Sequence, residues 1–168
     1  MSATRVLYLV RHAKSSWSHE GLLDRDRPLN RRGERDAPRM ARRLAARDRP
    51  PEAIVSSPAV RARTTAEIFA EEFGISGSDF RIDPDLYGAG VVDLLESARG
   101  FSDDVYSALL FAHDPGLTEL AGALSQYEIA HLPTCGVVTV EFQIGRWQEV
   151  EVTSGRVIHF DFPKRDDA

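Results

Sequence analysis

A single cysteine, Cys135, in 168 residues excludes an internal disulfide framework and fits a reducing compartment, so a cytoplasmic location is expected. The N-terminal apolar run is too short to cross a bilayer. Charge follows it, rather than a small-residue cleavage site, so no membrane role is expected. A basic excess is also missing. The net charge of −5 argues against nucleic acid or an acidic membrane surface as the main partner. Lysine is scarce, and 19 of the 21 basic residues are arginine. There is no repeat, low-complexity tract or linker, so residues 1–168 read as one domain. An apolar content of 42% and a charged content of 28% are those of an ordinary globular chain able to bury a core.

What is present begins with Val6-Leu7-Tyr8-Leu9-Val10. Five apolar residues, rich in β-branched and aromatic side chains, predict a buried strand. Arg11 and His12 follow directly, where a strand hands over to a loop. A cation and an imidazole in that place point to a bound anion. A polar segment then leads to Arg27-Pro28-Leu29-Asn30. Asn30 is the expected N-cap of a helix whose Ala37, Met40, Ala41, Leu44 and Ala45 recur at helical spacing. Pro38 lies inside that pattern, so the helix either kinks there or becomes regular only near Asp36. Ten arginines fall between residues 25 and 49. Acids are interleaved among them and no aromatic platform accompanies them, which fits a solvated helix face better than a nucleic-acid surface.

Ala53–Ser56 reads as a second strand, with Ser57 and Pro58 as N-cap and first residue of the next helix. Ala62, Ala66, Phe69 and Phe73 share one face of that helix, and Gly74 ends it. Arg61 then occupies the first turn, where free backbone N–H groups favour anions. Phe80–Asp83 is a third strand, Asp85–Gly88 a loop, and Val91–Ala98 a helix stopped by Gly100. Val105–Ala112 is a fourth strand running into His113. Asp114 and Pro115 are the expected cap and first residue of a helix over Leu117–Leu124. Three short strands close the chain: Val137–Phe142, Glu149–Val152 and Val157–Phe160.

This alternation predicts a three-layer α/β/α sandwich with a mostly parallel central sheet. Ligands of such sheets gather beyond the carboxyl ends of the strands. Three strand ends deliver Arg11, His12, Arg61 and His113 to that one rim. Two guanidiniums and two imidazoles without a carboxylate cluster do not make a zinc site, so no metal and no cofactor are expected. Guanidinium forks match phosphoryl oxygens. A neutral imidazole at their centre can attack phosphorus, and the clamp stabilises the charge that spreads over the equatorial oxygens.

These motifs resemble the histidine phosphatase superfamily, also called phosphoglycerate mutase-like. The Arg-His-Gly marker reads here Arg11-His12-Ala13. Ser-x-x-x-Arg-Ala-x-x-Thr-Ala reads Ser57 to Ala66, and the late His stands in Phe111-Ala112-His113-Asp114. With Arg27-Pro28-Leu29-Asn30 and the short chain, the likeness is to the SixA-type phosphohistidine phosphatase branch. The resemblance implies His12 as nucleophile, with Arg11, Arg61 and His113 on the phosphate oxygens. Ser18 stands where mutase relatives carry a phosphate-contacting Asn. The carboxylate acid of larger relatives has no counterpart at Leu86-Tyr87-Gly88, which leaves Asp85, and Asp83 before it, as possible proton donors. Asp114 is read as a helix cap facing away from phosphate. His19, His131, His159, Lys14 and Cys135 are read as packing or surface residues.

The expected activity is therefore a metal-independent phosphatase passing through a His12 phosphoenzyme. Its expected partner is a phosphorylated protein, with phosphohistidine preferred because a leaving imidazole can be protonated by solvent. Small phosphate esters such as sugar phosphates are the alternative substrates, and a non-catalytic phosphate-binding module is the alternative of another class. The sequence sets no oligomeric state.

Overall fold

The computed structural model describes residues 3–47 and 49–165. Its centre is a six-stranded sheet, among the described residues, built from β1 (Ala3–Arg11), β2 (Ala53–Ser56), β3 (Phe80–Ile82), β4 (Ser107–Ala112), β5 (Val137–Ile144) and β6 (Gly155–Asp161). The strand order is β3-β2-β4-β1-β5-β6. The first four strands are mutually parallel, β5 is antiparallel to β1, and β6 is antiparallel to β5. Four helices cover the sheet: α1 (Arg31–Ala45), α2 (Val60–Phe73), α3 (Val91–Arg99) and α4 (Gly116–Ser125).

The period-2 geometry of β1 divides the core. Val6, Tyr8 and Val10 face one layer, where α1 and α2 contribute Ala37, Met40, Ala41, Leu44, Ala66 and Phe69. Leu7 and Leu9 face the other, where α3 and α4 contribute Leu94, Leu95, Ala98, Leu117 and Leu120. The result is the three-layer α/β/α sandwich of the phosphoglycerate mutase-like fold. Among the described residues no helix is long and apolar enough to cross a membrane.

Several local expectations need correction. α1 runs unbroken from Arg31 through Pro38, so regular helix does not wait for Asp36. Arg31, Arg35, Arg42 and Arg47 are exposed, as a solvated face requires. α2 begins at Val60 rather than at Pro58, and its N-cap position is Ala59. Ser57 is freed from the cap because its hydroxyl is engaged elsewhere, as described below. α4 begins at Gly116, one residue later than expected. Asp114 still serves that helix end, with Oδ1 accepting from the Thr118 N–H at 3.0 Å. Glu149–Val152 is not a strand, since Trp147–Glu149 forms a 3₁₀ turn. Trp147 is fully buried and its indole N–H donates to the Val105 carbonyl at 2.7 Å. That anchor pulls the segment across the end of the sheet, while β6 pairs directly with β5.

Two glycines bring loops against helices near the carboxyl rim. A Cβ on Gly33 would lie 2.2 Å from the Lys14 carbonyl oxygen, so only glycine lets α1 approach that loop. The Asn30 N–H donates to the same carbonyl at 3.0 Å, and the Asn30 side chain accepts from the Gly33 N–H at 2.9 Å. A Cβ on Gly116 would likewise lie 2.2 Å from the Ala89 carbonyl oxygen, which seats the loop after β3 against the start of α4.

Candidate active site

β1, β4 and β2 are neighbours, and their carboxyl ends stop almost level, with Arg11 opposite Ala112 and Phe111 opposite Ser56. Backbone pairing continues one step beyond the strands. The His12 N–H donates to the Ala112 carbonyl at 3.3 Å, and the Ser57 N–H donates to the Phe111 carbonyl at 2.9 Å. His12, Ser57 and His113 are thus fixed side by side before any side chain is considered. The imidazoles of His12 and His113 face each other with ring centroids 5.2 Å apart.

The hydrogen bonds assign the ring nitrogens of His12. His12 Nδ1 lies 2.8 Å from the Ala13 carbonyl oxygen. A carbonyl only accepts, so Nδ1 carries the proton and Nε2 keeps a bare lone pair. Ala13 is itself held by its N–H donating to Thr65 Oγ1 at 3.0 Å, while Thr65 donates to the Arg61 carbonyl at 2.7 Å. His113 Nε2 lies 2.7 Å from Ser57 Oγ, which also accepts from the Ala59 N–H at 3.2 Å. A Ser57 hydroxyl donating to His113 Nε2 would leave the His113 proton on Nδ1; the same contact also allows Nε2–H to donate to Ser57 Oγ.

Each guanidinium is anchored at one end only. An Arg11 terminal nitrogen donates to the Leu132 carbonyl at 2.9 Å. Leu132 is tied back through its own N–H to Thr118 Oγ1 at 2.9 Å, and Thr118 in turn donates to Asp114 at 2.8 Å. Asp114 is thus occupied by Thr118, on the helix-cap side. Arg61 grips Asp24 with both terminal nitrogens, one on the main-chain carbonyl at 2.7 Å and one on Oδ2 at 3.0 Å. Asp24 also accepts from Arg27 Nε at 3.1 Å and from the Tyr87 hydroxyl at 2.6 Å. The Tyr87 ring stands edge-on to His113, 5.7 Å away.

What this anchoring leaves over is the telling part. Arg11 Nε, Arg61 Nε and His113 Nδ1 are buried and have no hydrogen-bond partner among the described residues. Buried polar atoms in that condition call for an explanation, and these three belong to the groups whose charges bear on His12. Electrostatics agree. Burial, reinforced by His113, Arg61 and Arg11, pushes His12 down to about 3. Burial and Arg61 push His113 down to about 4. Both imidazoles are neutral at physiological pH. Burial also lowers Arg11 from the usual guanidinium range. Asp24 is held down to about 2, first by the Tyr87 hydrogen bond and then by Arg61 and Arg27. A neutral nucleophilic nitrogen among cationic and neutral N–H donors suits an oxyanion. Among the described residues no group of three or more His, Cys, Asp or Glu is arranged to hold a metal ion.

The histidine phosphatase superfamily (branch 1) model matches residues 7–93, the stretch carrying Arg11, His12 and Arg61. The chain belongs to the histidine phosphatase superfamily. An uncharacterized chloroplastic protein of Arabidopsis thaliana is 31% identical over 162 residues, covering 92% of this chain and 74% of the plant protein. An uncharacterized protein of Mycobacterium tuberculosis is 30% identical over 165 residues, covering 92% of this chain and all of its own. Among solved structures, a SixA phosphohistidine phosphatase by name, from Agrobacterium tumefaciens, superposes with a TM-score of 0.78 at 28% identity, covering 95% and 98% of the two chains. The protein histidine phosphatase SixA complexed with tungstate gives 0.79 at 20% identity, covering 94% and 97%. A mycobacterial glucosyl-3-phosphoglycerate phosphatase gives 0.64 at 17% identity, covering 93% and 98%. This chain is a member of the superfamily on its SixA-type branch.

Arg11, His12, Arg61 and His113 thus come together on one rim. The other two residues singled out from the sequence, Ser18 and Asp85, make their hydrogen bonds elsewhere. Ser18 is exposed on the loop after β1, with its hydroxyl 2.8 Å from that of Ser16. Asp85 is exposed in a 3₁₀ turn, where its N–H donates to Asp83 Oδ1 at 3.0 Å. The sequence reading missed Asp24 and Tyr87, which reach the site from loops 63 residues apart. The only sequence trace of Asp24 is its spacing three residues before Arg27, which forms an ion pair at 3.1 Å. Cys135 is fully buried, which pushes its thiol well up and leaves it inert.

Proposed function

We propose that this chain is a metal-independent phosphatase that carries the phosphoryl group on His12, with phosphohistidine on a protein as its preferred substrate. His12 Nε2 attacks phosphorus. The substrate's P–N bond breaks, its electron pair stays on the departing imidazole, and solvent supplies the proton. Arg11, Arg61 and His113 hold the three oxygens through the transfer. Water then attacks the phosphorylated His12 and gives up a proton. The P–Nε2 bond returns its electron pair to the ring, and inorganic phosphate leaves.

The observation that carries this reading is a neutral His12 imidazole with its proton on Nδ1, beside His113 and under the charges of Arg11 and Arg61. The substrate class rests on Asp24, the carboxylate that Arg61 holds. Asp24 is committed to Arg61, Arg27 and Tyr87 and stays ionised to about pH 2, so it has no proton to give at neutral pH. An alkoxide leaving group needs that proton, whereas an imidazole can take one from water. Ser18 and Asp85 take no step in this scheme. The names of the SixA structures point the same way.

Brief mixing with a radiolabelled phosphodonor tests the route. An acid-labile, base-stable phosphoenzyme is expected for the wild type and is lost in His12→Ala; label retained in that variant overturns it. Comparison of kcat/KM for a histidine-phosphorylated protein and a panel of sugar phosphates tests the substrate. Parity, or a preference for the esters, overturns that choice.

A further inference from the structure

Beside the clamp lies a second cavity, of about 400 Å³, with Arg11 as a shared wall. Its other lining groups include Lys14, Arg32, His131 and Lys164, and no aspartate or glutamate lines it among the described residues. These side chains come from four separate places: the loop after β1, the first turn of α1, the segment before β5, and the segment after β6. In a chain of net charge −5, such a concentration of one sign is not a consequence of composition. It has a built frame. Gly33 and Asn30 clamp the Lys14 backbone onto the start of α1, which puts Lys14 beside Arg32. The Cys135 N–H donates to the His12 carbonyl at 3.0 Å, and the Leu132 carbonyl holds Arg11, which fixes the wall next to the nucleophile. Asp161 is paired with Arg43, and Asp36 with Arg32, so Arg11, Lys14 and Lys164 are the lining cations outside these pairs.

We propose that this cavity is a second anion subsite, which takes a further oxyanion carried by the same molecule as the phosphoryl group. The proposal rests on the clamp being a phosphoryl site. Two sources share that chemistry: acidic side chains flanking a phosphorylated histidine, and a second carboxylate or phosphate on a small ester. In either case, the added anion gains where cationic walls focus the field, and a substrate with only one anionic group gains nothing.

The test uses matched substrates and the charge-reversed variant Lys14→Glu/Lys164→Glu, which leaves Arg11 untouched. One pair is a phosphohistidine peptide with Asp and Glu flanks against the same peptide with Asn and Gln. The other is carboxyphenyl phosphate against phenyl phosphate. Wild type is expected to favour the more anionic member of at least one pair by about tenfold in kcat/KM, and the pair that responds identifies the source. The variant is expected to lose that preference, with kcat/KM falling further for the more anionic member than for the member with one anionic group. Equal treatment of both members by wild type, or a preference surviving in the variant, overturns the subsite. Tripolyphosphate binding by calorimetry separates this from the proposed function. If no phosphohistidine is hydrolysed, weaker tripolyphosphate binding by the variant still supports the subsite; unchanged binding overturns it whatever the enzyme hydrolyses.

Discussion

The two ends of the central sheet each bury arginine, and they use it in opposite ways. At the amino end of β1, Arg5 is 2% exposed. Its terminal nitrogens donate to the carbonyls of Asp103, Val105 and Gly145. The rings of Tyr106 and Trp147 flank it, at 4.5 and 5.7 Å. Arg146 stands close by, but its charge is met by the Asp103 carboxylate at 3.4 Å. At the carboxyl end, Arg11 and Arg61 are close enough to oppose each other's charge, and both oppose protonation of two buried imidazoles. The first arrangement ties two loops to a strand through three carbonyls and leaves only Nε without a partner. The second gathers like charges, and an added anion relieves them. Burial of an arginine says little about its purpose; its neighbours decide.

Truncating one arginine at each end breaks the comparison most sharply. Arg61→Ala is expected to lower kcat/KM by about a thousandfold, because it removes a donor aimed at developing charge. Its melting temperature is expected to fall less than that of Arg5→Ala, since relief of like-charge crowding offsets part of what the lost Asp24 contacts cost. Arg5→Ala is expected to lose about 3 kcal/mol of stability, leaving a cavity and three carbonyls without their donor. The folded fraction keeps its full activity. Urea unfolding and steady-state kinetics on the two variants read both effects, and the reverse pattern would destroy the distinction.

The two histidines give the carboxyl end its own pH response. Burial is the main cause that holds His113 down to about 4 and His12 down to about 3, against an ordinary value of 6.5. Between pH 6.5 and about 4 the unfolded chain binds protons that the folded chain refuses, so stability falls as pH drops through that window. The loss levels off only when the folded imidazoles themselves protonate. The slope of the urea midpoint against pH is expected to flatten in His113→Gln. Substitution of Tyr106 at the opposite end is expected to leave that slope unchanged.

Asp24→Asn probes the anchor rather than the clamp. It weakens the fork that holds Arg61, and kcat/KM is expected to fall by about tenfold through misplacement. Tyr87→Phe removes one of the anchor's three side-chain partners and is expected to cost less. Tighter binding of inorganic phosphate by Asp24→Asn would instead make Asp24 a competitor for the clamp.

How much of this was legible in the sequence follows from distance along the chain. Arg11, His12 and His113 follow directly from strand runs whose apolar content announces them, and parallel pairing then aligns their ends. The layer assignment of β1 is likewise written in its alternation. Ser57 reads as a helix cap because the residues around it obey cap rules; its bond to His113, 56 positions away, is a tertiary choice that no local rule carries. Asp24 reaches Arg61 across 37 positions from a loop whose course depends on Gly33 and Asn30. Glu149–Val152 alternates like a strand, yet burial of Trp147 outweighs that pattern.

The smallest expected effect sets the boundary of the active rim. Ser18 occupies the sequence position at which mutase relatives are expected to contact phosphate, so spacing alone assigns it to the clamp. Its hydroxyl instead pairs with Ser16 in an exposed stretch, while neighbouring Trp17 is 77% exposed and stacked against Arg27 at 3.5 Å. The bonds that place Arg11, His12, Arg61 and His113 do not pass through that hydroxyl. Removing an exposed hydroxyl bonded only within its own loop changes little, within about ±0.5 kcal/mol. Ser18→Ala is therefore expected to keep kcat/KM within about twofold of wild type. A loss of about tenfold or more, appearing mainly in KM, would mean that the loop closes over bound phosphate and that the rim extends to residue 18.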